Sequence, residues 1–225
     1  MSVEIREVAQ FDRVRFRGPG ICKITQDDVE SLTIHAPAYV MKDIESDVRE
    51  SVLHLGYVFP KVVSLKVRHE IISYDLRMKD IRGIVLTGSG RVNIPDLDND
   101  VVSIEITGSG QISLDNLTAD KLKVVISGSG CIKVMGDIEA QSLRITGSGC
   151  YEAERLVSDF AEIKISGSGN ASVSVSDDLN VIISGSGKVS YGGYPDISKV
   201  ISGSGHVVRR RRDKHKINRG EEHGA

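Results

Sequence analysis

The sequence predicts an all-β protein: a single-stranded parallel β-helix, or β-solenoid, with coils of about 18–20 residues. Three observations predict it. First, the pattern apolar–Ser/Thr–Gly–Ser–Gly occurs seven times, with first glycines at Gly88, Gly108, Gly128, Gly147, Gly167, Gly185 and Gly203. Second, the spacings of 20, 20, 19, 20, 18 and 18 residues are too short for a helix, a strand and two loops, but they suit one coil of a solenoid. Third, apolar and polar residues alternate on both sides of each copy, which marks strands with one buried face.

Composition agrees. The 225 residues are 40% hydrophobic and 27% charged, which supports a sizeable core and argues against wholesale disorder. Aromatic residues are only 4% and Trp is absent, so Val, Ile and Leu carry the apolar content, a bias toward strands.

The chain reads as follows. Residues 1–208 form one β-helix domain, with degenerate N-terminal coils over 1–80 and seven repeat coils over 81–208. "VRFRGPGICKI" (14–24) aligns with "LKVVISGSGCIKV" (122–134), and "LTIHAPAYV" (32–40) reads as a further coil with Ala36 and Ala38 in place of glycines. Residues 41–51 suit a short helix or a capping excursion, and "VLHLGYVF" (52–59) and "VVSLKVRHEIISYDL" (62–76) are strand-like. Within the repeats, Leu86, Ile106, Ile126, Ile145, Ile165, Ile183 and Ile201 fall in one inward column. A second inward column runs Ile84, Ile104, Val124, Leu143, Ile163 and Val181, broken by Lys199. "PDLDND" (95–100), "DNLTAD" (115–120) and "SVSDDLN" (174–180) read as turns between copies. Each buried Ile or Leu contributes roughly 1.5–3 kcal/mol, against about 0.5–1.5 kcal/mol net for a hydroxyl contact between coils, so the aliphatic columns dominate stability.

Glycine inside a strand costs roughly 0.5–1 kcal/mol, so a geometric need must hold two in every copy. Two geometries fit. Either both glycines face inward and let the wall bend or approach the opposite wall, or one takes a positive φ at a corner. In the first geometry the Ser/Thr and the central Ser face outward. They give a ladder of hydroxyls: Thr87 and Ser89, Thr107 and Ser109, Ser127 and Ser129, Thr146 and Ser148, Ser166 and Ser168, Ser184 and Ser186, Ser202 and Ser204. This is the candidate binding face, one suited to a glycan or protein surface. The plain alternative is that the hydroxyls satisfy one another and water along the stack.

Other chemistry is sparse. Cys131 and Cys150 follow the motif in neighbouring coils and stack side by side; their Cβ vectors run alongside rather than converge, so two free thiols are expected. Cys22 reads as a small core residue. No metal site and no cofactor is expected: no ligand set has suitable spacing, no Gly-Lys-Ser/Thr completes a nucleotide loop, and each glycine motif leads into a strand rather than a helix N-terminus. The six histidines are scattered. Asp96, Asp98, Asp100, Asp115 and Asp120 read as turn residues, and near-minimal coils leave no long loops to wall a catalytic groove. No catalytic residues are therefore assigned.

Net charge is −2, unevenly placed: residues 209–225 hold seven Lys/Arg and three Asp/Glu, a net of +4 that leaves −6 on the rest. Arg209, Arg210, Arg211 and Arg212 open this basic tail, which is expected to be a disordered, solvated end rather than a nucleic-acid or anionic-membrane contact. "MSVEIREVAQFDRV" lacks a basic start followed by an apolar run, so the chain reads as cytoplasmic if complete, or as a mature form.

"REVAQFDRVRFRGPGICKITQ" near the start, the recurring "ISGSG", and "VSYGGYPDISKVISGSGHV" near the end together resemble the head GIN-domain family of auto-transporter adhesins, a domain of unknown function. The resemblance covers residues 4–208. It implies a right-handed parallel β-helix of bacterial, exported or surface-attached proteins, with no catalytic residues. The expected function is thus a non-enzymatic, adhesin-like domain presenting a repetitive Ser/Thr-rich face. A cytosolic solenoid that self-associates into a homo-oligomer and a carbohydrate-active β-helix enzyme are the alternatives.

Overall fold

The computed structural model describes residues 1–57 and 72–210. It is a nearly all-β solenoid of about six turns. The strand-like reading of 58–59 and 62–71 and most of the tail, 211–225, lie outside the described residues.

The elements follow in chain order. The N-terminal part holds β1 (Ser2–Arg6), β2 (Arg13–Arg17), β3 (Ile21–Gln26), β4 (Ser31–Ala36), α1 (Ala38–Met41), β5 (Ile44–Arg49), β6 (Val52–Tyr57) and β7 (Ser73–Met78). The repeats hold β8 (Gly83–Gly88), β9 (Arg91–Asp98), β10 (Val101–Gly108), β11 (Gln111–Gly128), β12 (Cys131–Gly147), β13 (Cys150–Gly167) and β14 (Asn170–Gly185). The last coil is formed by β15 (Lys188–Gly192), β16 (Asp196–Ser202) and β17 (His206–Arg209).

The repeats stack in parallel and in register, glycine on glycine: Gly88 beside Gly108, Gly108 beside Gly128, Gly128 beside Gly147. Ile106, Ile126, Ile145, Ile165 and Ile183 form the expected inward column, fully buried. Ile104, Val124, Leu143, Ile163 and Val181 form the second.

The two glycines of a copy meet two different demands. Gly128 sits at a corner with φ +117°, and a Cβ there would lie 2.6 Å from the Gly108 carbonyl oxygen of the coil beneath. Gly130 is buried, and its Cβ would lie 2.5 Å from Ile106 Cγ2, also one coil down. The corner geometry is therefore the one realised, and the close approach is to the preceding coil rather than to the opposite wall.

Three expectations need correction. The stretches read as turns, 95–98, 115–120 and 174–180, stay extended within strands, because parallel pairing with the next coil continues around the bends. Register shifts absorb the unequal spacings: pairing on β12 passes from an offset of 20 at Ile112–Ile132 to 19 at Leu117–Gly136. Residues 32–36 are not a parallel coil, since β4 runs antiparallel to both β1 and β7. Finally, the N-terminal coils do not stack in chain order. The β2–β3 coil lies between β6–β7 on one side and β8–β9 on the other, with Phe16 beside both Leu55 and Leu86. The resemblance of 14–24 to the repeats is nonetheless real geometry: Phe16 aligns with Leu86, and Cys22 with Val92.

The two ends differ. At the N-terminal end, antiparallel strands border the parallel stack: β5 pairs with β6, and β4 with β7 and β1. At the C-terminal end the inward-facing Ile197 and Ile201 of β16 remain 39% and 38% exposed, with Lys199 between them.

Among the described residues, the interior carries a polar chain. Tyr151 donates to Gln141 Oε1 at 3.0 Å, Gln141 Nε2 donates to Ser158 Oγ at 2.7 Å, and Ser158 Oγ donates to the Ser174 carbonyl at 3.2 Å. Burial pushes the hydroxyls of Tyr151 and Tyr74 above their ordinary pKa of 10.0. It does the same to the Cys22 thiol, with the charge of Asp75 adding to the effect. The unfolded chain therefore loses these protons first as pH rises, and folding stability falls above about pH 9–10 by up to about 1.4 kcal/mol per unit for each group. Urea midpoints measured at pH 8, 10 and 11 should fall stepwise; a constant midpoint would contradict the burial of these groups.

Candidate binding face

The hydroxyl ladder is built by the repeat itself. The column Thr87, Thr107, Ser127, Thr146, Ser166, Ser184 and Ser202 is in register from coil to coil. The central serine of each motif is set by its backbone: Ser109 N–H donates to the Gly88 carbonyl and Ser129 N–H to that of Gly108, both at 2.9 Å. The same bond recurs from Ser148, Ser168 and Ser186, which turns these side chains outward. Ser89 and Ser204, in the outermost copies, are exposed as well. All fourteen side chains are exposed or partly exposed.

Among the described residues no hydrogen bond joins two ladder hydroxyls. Such a bond does form elsewhere, between Ser172 and Ser190 at 2.8 Å. The ladder hydroxyls thus keep their donors and acceptors for solvent or a partner.

The same sheet face continues toward the start of each long strand. There the outward columns are Val101, Lys121, Ala140, Phe160 and Asp178, then Ser103, Lys123, Ser142, Glu162 and Asn180. All of these except Ser103 line an open depression of about 510 Å³. No local pattern announced it: its residues lie about 20 apart in sequence, and only their stacking brings them together.

The cysteines depart from expectation. Cys131 and Cys150 are joined as a disulfide, not left as free thiols. They are register partners on adjacent strands with Cα atoms 4.6 Å apart, inside the range a bridge accepts. Side chains that start alongside need only rotate about χ1 for the sulfurs to meet. The Glu152 carboxylate lies next to them, and the three ligand atoms fall within 4.8 Å of one another, but bonded sulfurs are not thiolate donors. Cys22 is free and buried, as a core residue should be.

Two of the four tail arginines lie on the body. Arg209 ends β17 and stacks 3.4 Å above the Tyr194 ring centroid. Arg210 pairs with Glu154 and donates to the Val173 carbonyl at 3.1 Å. Arg211 and Arg212 lie outside the described residues.

The fold and this face define a class: a parallel β-solenoid that displays regularly stacked hydroxyls on an exposed sheet. Residues 10–195 match the family described as "Putative auto-transporter adhesin, head GIN domain". The chain belongs to that family. Among solved structures it is similar to a putative adhesin from Bacteroides fragilis, at 25% identity over 92% of this chain and 95% of that one, with a TM-score of 0.83. It shares the fold of a putative lipid binding protein from Parabacteroides distasonis, at 22% identity over 93% and 96% of the chains and a TM-score of 0.73. A putative adhesin from Parabacteroides merdae also shares it, at 20% identity over 93% and 96% and a TM-score of 0.70. No curated protein matches the sequence.

Proposed function

We propose that this domain is a non-enzymatic adhesive module that holds a glycan or protein surface against its hydroxyl face. The observation that carries the reading is the in-register ladder, exposed or partly exposed along its length and free of mutual hydrogen bonds. A rigid array at the coil spacing of about 4.8 Å offers many weak polar contacts at once, and multivalent contact suits adhesion better than turnover. Membership of the adhesin family supports it. Catalysis is disfavoured because the marked upward pKa shifts lie on buried groups, Cys22, Tyr74 and Tyr151, rather than in a cleft. End-to-end self-association is disfavoured by Lys199 in the open last coil.

The test is a glycan array beside a pulldown of surface proteins, run with wild type and with Ser127→Ala, Thr146→Ala and Ser166→Ala combined. Retention without cleavage, reduced at least about tenfold in the triple variant, is expected. Product formation would make the protein an enzyme. Retention unchanged by the substitutions, or no retention on either platform, would overturn the reading.

A further inference from the structure

We propose that the depression beside the ladder is a subsite for an acidic sugar, a pyranose ring bearing a carboxylate. The inference rests on the reading of this domain as a binding module, and it adds a place and a chemistry that the ladder does not supply.

The depression arises from side-chain size. In the middle coil the outward positions are small, Ala140 and Ser142; in the coil beneath they are Lys121 and Lys123, and in the coil above Phe160 and Glu162. Two coil spacings separate the walls, about 10 Å. The result is a slot floored by small residues and open to solvent, which suits one flat ring rather than a buried acyl chain. It lies four to six residues before the hydroxyl column on the same strands, about 13–20 Å away.

The lining has two characters. Phe160 is 41% exposed, whereas the other described phenylalanines, Phe11 and Phe16, are buried. An exposed aromatic at the wall of a slot offers an apolar face to the C–H side of a sugar ring. Around it stand groups that bond hydroxyls at the ring edge: Asn180, Asp178 and Ser142.

Charge sets the preference for an acid. Glu162 is already paired with Lys164. Lys121 and Lys123 line one wall and make no ion pair among the described residues, so their two ammonium groups remain available to a ligand held there. A carboxylate on the ring would receive charge-assisted hydrogen bonds from them while its apolar side meets Phe160 across the gap. Asp178, on the opposite side, disfavours a ligand charged all round, such as a nucleic-acid backbone.

The experiment titrates the protein with tetragalacturonate and with neutral galactotetraose, following saturation transfer by NMR and heat by calorimetry. Wild type, Phe160→Ala, the pair Lys121→Gln with Lys123→Gln, and the ladder triple variant are compared; all are surface changes, and each melting temperature is checked first. The acid should bind about tenfold or more tighter than the neutral sugar, and the advantage should shrink as salt rises. The lysine pair variant should lose that advantage, Phe160→Ala should weaken both sugars, and the ladder variant should change neither. Equal affinity for acid and neutral sugar, binding unaltered by the Phe160 and lysine variants, or equal competition by single-stranded DNA would overturn the proposal. If binding instead follows the ladder substitutions, or only a protein surface is retained, the subsite falls and the adhesive reading stands. If neither sugars nor surfaces are held, both fall.

Discussion

Gly128→Ala will destabilise the solenoid by about 2–5 kcal/mol, although it adds a single methyl to an exposed corner. Two costs combine. The backbone at Gly128 has φ +117°, where an L-residue is strained, typically by about 1–2 kcal/mol. The new Cβ would also lie 2.6 Å from the Gly108 carbonyl oxygen, and overpacking of that kind costs about 1–3 kcal/mol. Relief would require the corner to lift off the coil beneath, which would stretch the bond from Ser129 N–H to that same carbonyl, now 2.9 Å. The control is the neighbour: Ser129→Ala should change stability by less than about 0.5 kcal/mol. Chemical denaturation of both variants decides the matter. A loss below about 1 kcal/mol at Gly128 would mean that the corner glycines are not required by geometry.

Ile106→Ala and Gly130→Ala should each destabilise, and together they should cost less than their sum. Ile106 is fully buried in the inward column, and its truncation removes about 2–5 kcal/mol. Gly130→Ala alone drives a methyl to 2.5 Å from Ile106 Cγ2, at about 1–3 kcal/mol. When Ile106 is already alanine, that Cγ2 is gone and the new methyl enters the vacated space. The double variant should recover about 1–2 kcal/mol relative to additivity. Recovery stays incomplete because the Gly110 carbonyl oxygen, 3.0 Å from the same methyl, remains. Strict additivity would show that the second glycine is held by something other than its contact with the isoleucine below.

These two experiments test what was most legible in the sequence. A repeat of about 20 residues with inward isoleucines and two glycines specified the coil, its register and the outward ladder, because like positions stack on like positions. What escaped reading depends on partners that the repeat does not name. The antiparallel β4 and the interleaved N-terminal coils follow from pairings between distant segments, where "LTIHAPAYV" carries the same alternation in either direction. The disulfide turned on a side-chain rotation that register alone leaves free. The buried Tyr151–Gln141–Ser158 chain did leave a trace, polar residues at inward positions, but its closure needed three points from two coils to meet. The slot beside Phe160 is visible only as a difference between coils, with Ala140 small where Lys121 and Phe160 are large.

The interleaving at the N-terminal end governs the order in which the molecule can be completed. The β2–β3 coil is among the first segments synthesised, yet both neighbours that cover its edges arrive later, the second only when Gly83–Asp98 has been made. Until then Phe16 and Cys22 lack the contacts that bury them. After that point each further 18–20 residues finds a finished template and lies down upon it. A chain delivered beginning-first, as from a ribosome or a translocation pore, would thus wait once and then zip, with its slowest step near the start and steady growth thereafter.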